Sequence, residues 1–141
     1  MLVGLGAVAA CEQGARAADP PLPSTVTCAD AAELRQRASI DRRRSADLKS
    51  DQEKVDTANR AAFLASLATV ADLKCKVTLA EAAIVDDALK RTLDAAHKAT
   101  STRSFYERSN AWSEANFMAT EVIALLIQRI PGAARLAGGG G

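Results

Sequence analysis

Val85, Leu89, Leu93 and Ala96 recur every three to four residues, as do Leu64, Ala68, Ala71 and Cys75, so each set lines one face of a helix. Between residues 24 and 130 the chain contains neither glycine nor proline. Glycine costs about 1 kcal/mol and proline about 3 in a helix interior, so a stretch that excludes both and is rich in alanine is built of helix. Glycine and proline are confined to the ends, with Pro20, Pro21 and Pro23 before this run and Pro131 and Gly132 after it. Hydroxyl residues must therefore cut the helix. Ser50-Asp51-Gln52-Glu53, Thr78-Leu79-Ala80-Glu81 and Ser104-Phe105-Tyr106-Glu107 each read as a capping box, in which the hydroxyl and the carboxylate satisfy each other's free backbone N–H groups. The resulting segments are 29–49, 51–75, 79–99 and 104–130. Four helices of similar length joined by short loops predict an all-α fold, an antiparallel four-helix bundle of up-down-up-down order. If a cap is passed through without a break, the alternative is two long helices in a hairpin. A coiled coil fits less well, because Leu34, Leu48 and Val55 share a heptad position with Asp41 between them.

The four segments differ in what they offer to a core. Segment 29–49 has only Leu34, Ile40 and Leu48 amid Arg35, Arg37, Arg42, Arg43, Arg44 and Lys49. It should be the most exposed helix, with Arg42 to Arg44 on a solvated face interleaved with Asp41 and Asp47. Segment 51–75 supplies Phe63, Leu64, Leu67, Val70 and Leu73, and the last helix is the most apolar. Residues 117–127 invite a membrane reading, but spanning takes about 20 predominantly apolar residues, and Glu114, Glu121 and Arg129 leave too few.

Composition limits the architecture to one domain of small buried volume. The 141 residues suit a single core, and the 48% hydrophobic content is weighted to alanine, with only 4% aromatic residues. The helices should pack closely. A net charge of +1 with 25% charged residues lacks the concentrated basic surface of a nucleic-acid binder, so no nucleic-acid partner is expected.

At the N-terminus an apolar segment leads to Val8-Ala9-Ala10-Cys11. This resembles the bacterial lipobox, in which small residues precede a cysteine that is lipidated and becomes the new N-terminus. The resemblance covers residues 1–11 alone and implies lipidation at Cys11, export, and a membrane partner reached through an N-terminal lipid anchor. Ordinary secretion with cleavage at Ala15-Arg16-Ala17 is a second reading of the same region, and a cytosolic chain is a third. Residues 12–23 then form a proline-rich tether, residues 24–131 the helical bundle, and residues 132–141 a flexible glycine-rich tail.

With Cys11 lipidated, Cys28 and Cys75 remain as an even pair in an oxidising compartment. A disulfide requires their Cα atoms to come within about 7 Å, so the chain must fold back midway between them. That midpoint falls beside Ser50, where the first capping box already places a turn. Two independent signals name the same break, and a Cys28–Cys75 disulfide is the expectation. A free, buried Cys75 is the alternative.

Reactive chemistry is sparse. His97, the only histidine, lies at the edge of the Leu89 and Leu93 stripe with no serine or cysteine placed beside it as an activated nucleophile. One histidine and paired cysteines do not make a zinc site, and no cofactor is expected. For haem, His97 and Met118 would be the axial ligands, but in a hairpin turning near Thr102 they miss each other by roughly 16 Å along the axis. Phe105, Tyr106, Trp112 and Phe117 concentrate the aromatic residues in the last helix. Core packing is their first reading, with Phe105 and Trp112 on one side, and a partner-binding face carried by Phe105, Tyr106 and Trp112 is the second.

These features describe a non-catalytic, exported helical-bundle lipoprotein that acts as a binding or scaffolding component on the periplasmic side of a bacterial envelope, with an envelope protein as partner. A periplasmic bundle that binds haem, a metal or a lipid, and a phage or mobile-element envelope protein, are the other classes. An internal apolar pocket would favour the first of these and an exposed face over residues 122–130 the second. A closed core favours scaffolding.

Overall fold

Hydroxyl side chains start three of the helices at the predicted places. The computed structural model describes residues 21–132. A 3₁₀ turn, Cys28–Asp30, leads into α1 (Ala31–Asp47), followed by α2 (Asp51–Lys74), α3 (Leu79–Ile84), α4 (Asp86–Ser101) and α5 (Phe105–Ile127). Ser50 Oγ accepts the Glu53 N–H at 3.0 Å and Ser104 Oγ accepts the Glu107 N–H at 3.3 Å. At Thr78 the capping box is complete, since the Glu81 carboxylate also accepts the Thr78 N–H at 3.2 Å. Each cap satisfies a donor that the first helical turn leaves without a partner. At the far end Gly132 takes a positive φ of 81° after Pro131, a conformation open to glycine.

Where the spacing predicts one helix over 79–99, the structure has two. Val85 sits between α3 and α4 with φ −92° and ψ 0°, and its N–H turns back to the Ala82 carbonyl at 3.3 Å. The cause is tertiary. Val85 is fully buried, and the next residue, Asp86, is held at 3.2 Å by Lys74, whose ammonium also donates to the Val26 carbonyl at 2.9 Å. Asp86 and Asp87 then occupy the first turn of α4, where the helix dipole favours negative charge. The described residues are therefore all-helical, with five helices packed together.

Contacts between side chains fix the directions. Along α1 and α2, Cys28 meets Cys75, Arg35 meets Asp72 and Asp41 meets Arg60, so the two helices run antiparallel. Along α2 and α5, Asp56 meets Arg108, Asn59 meets Ser113 and Ser66 meets Asn116, so this pair runs parallel. Helix α5 packs on both α2 and α4, whereas the main partner of α1 is α2. Ala68 and Ala71 of α2 and Ala115 and Ala119 of α5 are all buried, and side chains this small let helix axes approach closely. Phe63, Leu64, Leu67 and Val70 of α2 fill the interior together with Val85, Leu89 and Leu93 and with Trp112, Val122 and Leu126 of α5. Leu73 is half-buried against this cluster, as is Leu22, at the end of the stretch read as tether.

Cys28 and Cys75 lie at disulfide distance, with Cα atoms 5.2 Å apart and both residues exposed. The pair closes the hairpin of α1 and α2 at the end opposite Ser50. Replacing both by serine, or reducing the oxidised chain, should lower the unfolding free energy by about 4 kcal/mol, the chain-entropy value for a loop of this length. Urea denaturation of the oxidised and reduced forms measures the difference, and coincident curves would show that the bridge adds nothing.

Candidate functional site

The aromatic residues of α5 divide between inside and outside. Trp112 is 2% exposed, with its ring centroid 5.7 Å from that of Phe63, so it is a core residue and no part of an outward binding face. Phe105 is half-buried and carries the Arg108 guanidinium 4.8 Å above its ring, a cation–π contact that occupies one side of it. Of the three residues taken from the sequence as a partner-binding set, only Tyr106 stands free, at 72% exposure. Phe117, 65% exposed, lies three helical turns further on the same side, about 16 Å along the axis. Core packing thus claims Trp112, and Phe105 shares its side. Cys11, the lipidation candidate, lies outside the described residues.

Beneath Phe105 a line of alternating charges crosses three helices. Asp41 of α1, 5% exposed, accepts two bonds from Arg60 of α2, from Nε at 2.6 Å and from a terminal nitrogen at 2.8 Å. One turn before Arg60, Asp56 is 8% exposed and accepts from Arg108 of α5 at 3.4 Å. Arg108 also donates to the Thr102 carbonyl at 3.2 Å, tying the α4–α5 loop to the same line. Burial pushes the Asp56 carboxyl above its ordinary value; Arg108 first, then Arg60 and the Trp112 indole, pull the other way without cancelling the effect. Above this line Asn59 donates to the Ser109 carbonyl and to Ser113 Oγ, and Ser66 donates to Asn116 at 2.5 Å. Among the described residues no buried side-chain nitrogen or oxygen lacks a partner. The line fixes register between helices. It presents no open coordination position and no nucleophile.

The sequence carried one trace of this arrangement. Asp41 stands on the Leu34 and Leu48 seam and so faces inward, where an acid needs a cationic partner. Nothing in the spacing identified Arg60 as that partner, because the pair spans two helices. Of the α1 arginines, Arg42 and Arg43 are exposed, while Arg44 lies 3.9 Å from Asp41.

A shallow, open groove of about 380 Å³ lies between α4 and α5, lined by Ala88, Arg91, Thr92, Met118, Glu121 and Leu125 among others. Thr92 at its floor is fully buried and donates to the Ala88 carbonyl at 2.8 Å, so its hydroxyl is already engaged. His97 is exposed on α4, and Met118 is half-buried on α5. Among the described residues no group of three or more His, Cys, Asp or Glu is placed to hold a metal ion, and no helix is long and apolar enough to cross a membrane. Comparison of the chain with protein-family models, with curated proteins and with solved structures finds no match.

The buried charges make stability depend on pH in a specific direction. Because the folded pKa of Asp56 is raised, its protonated form favours the fold; the contribution is fully present below the unfolded value of 3.8 and is lost as pH rises through the folded pKa. The stability of the wild type minus that of Asp56→Asn should therefore fall as pH is raised from 3 toward 6. Denaturation midpoints of both proteins across that range give the slope; a rising difference would mean that Arg108 outweighs burial. For the aromatic residues, Trp112→Ala should cost about 3–5 kcal/mol, whereas Tyr106→Ala should stay within about 0.5 kcal/mol. Thermal and urea unfolding followed by circular dichroism separates the two.

Proposed function

We propose that the protein is a non-catalytic, lipid-anchored helical bundle that serves as a binding or scaffolding component of a bacterial envelope. The observation that carries this reading is the Cys28–Cys75 pair, 5.2 Å apart at Cα and exposed on the outside of the hairpin. A disulfide in an accessible position persists in oxidising compartments and is reduced in the cytosol. Val8-Ala9-Ala10-Cys11 adds the anchor and the proline-rich stretch after it adds the tether. We read the five helices as an up-down-up-down four-helix bundle in which α3 and α4 together make the third arm.

Scaffolding is supported over ligand storage by the groove between α4 and α5, which is open and whose buried Thr92 hydroxyl is already engaged. Burial of Val122 and Leu126 supports it over a membrane-active final helix. An envelope protein partner has Tyr106 and Phe117 available on the outer side of α5.

Intact-mass analysis of the chain expressed with its own N-terminus in a bacterium, before and after reduction, tests the reading. Cleavage before Cys11 with added acyl mass, together with a gain of two hydrogens on reduction, is the expected result. A retained Met1 with free thiols would remove anchor and compartment together.

A further inference from the structure

Helix α3 is built the wrong way round for a core helix. Its six residues bury only Ala82, while its two large apolar side chains, Leu79 and Ile84, are 92% and 58% exposed. Ala80 and Ala83 are exposed beside them. A single surface leucine is ordinary. Here a complete capping box at Thr78 and the buried Val85 hold the helix rigid at both ends, so the outward set of Leu79, Ala80, Ala83 and Ile84 is fixed. Past Ile84 the surface continues to Ala88, one turn on, and from there to Met118, Ala124 and Leu125 along the groove, which Arg91 and Glu121 also line.

We infer that this surface seats the protein on a lipid bilayer, with Leu79 and Ile84 entering the boundary between headgroups and acyl chains. The occupant is argued from where the chain is fastened. The segment leading from the N-terminus is secured at the same end of the molecule as α3: the Val26 carbonyl is held by Lys74, and Cys28 is joined to Cys75, three residues before Thr78. Nine residues separate Cys11 from Pro21, with a reach of about 30 Å at full extension. An acyl group at Cys11 would keep Pro21, whose carbonyl accepts from Arg37 of α1 at 3.5 Å, within that distance of the membrane, and the α3 end follows five residues on at Val26, where a second contact is strengthened by its high effective concentration. This part rests on the lipid anchor proposed above. Charge does not favour an anionic surface: the exposed Lys76 and Arg91 are offset in number by the exposed Asp87 and Glu121, and Lys74 is paired with Asp86. The contact is therefore apolar and insensitive to salt.

The test uses the full oxidised chain carrying Cys11→Ser, so that no anchor contributes, floated with vesicles of phosphatidylcholine alone and of phosphatidylcholine with phosphatidylglycerol. The protein should float equally with both, and Leu79→Ser with Ile84→Ser should cut the bound fraction about ten-fold. Both residues are exposed, so the melting curve should not move, and Tyr106→Ser with Phe117→Ser should float like the parent. A parent that does not float, a double variant at 79 and 84 that floats unchanged, or binding that requires phosphatidylglycerol would each overturn the inference. Flotation through Leu79 and Ile84, together with an intact mass showing no acyl group on Cys11 of the wild-type chain expressed in a bacterium, would break the anchor reading alone. Acylation at Cys11 with flotation indifferent to Leu79 and Ile84 would break this one alone.

Discussion

The direct, parallel contact between α2 and α5 is the constraint on which the rest of the structure depends. Ser66 meets Asn116 and Asn59 meets Ser113 directly across it, and Phe63 lies against Trp112 with ring centroids 5.7 Å apart. With that pair in place α1 is left with α2 as its main support and α4 with α5. The last helix is apolar because it has two neighbours. The first is charged because it has one.

Polar groups at this contact are matched across it rather than excluded from it. Asp41, Arg60, Asp56 and Arg108 alternate in sign through α1, α2 and α5, and Asn59, Ser66 and Asn116 continue the matching along the pair. An alanine-rich interior holds apolar contact at many registers with little difference in energy, whereas a buried ion pair is satisfied at only one. Specificity of register is the role these groups suit, and it explains why an acid can occupy a core-facing position of α1. Cys28 and Cys75 lie at disulfide distance at the open end of the same hairpin, so α1 is matched to α2 by charge in its middle and by this pair at its start.

The exposed apolar surface follows from what this packing leaves over. Trp112 and one side of Phe105 are used internally, so the exposed aromatic residues of α5 are Tyr106 and Phe117. At the opposite end, Ala82 and Val85 are buried while α3 turns Leu79 and Ile84 away from the core.

Local chemistry was sufficient to establish helical content and the main breaks. Excluding glycine and proline makes helix the cheapest state, and Ser50, Thr78 and Ser104 cap within three residues of themselves, so neither needs a distant partner. The hairpin of α1 and α2 was legible as well, because cysteine midpoint and cap coincide. Only the tertiary structure decided the division of segment 79–99 at Val85, the inward turn of Trp112 and the outward turn of Leu79. Each depends on which side chain fills a shared space first: Val85 is drawn into the core while Lys74 holds Asp86, and Arg60 neutralises Asp41 from another helix. Such contacts join residues far apart in the chain, and helical periodicity assigns a residue to a face without saying what that face will meet.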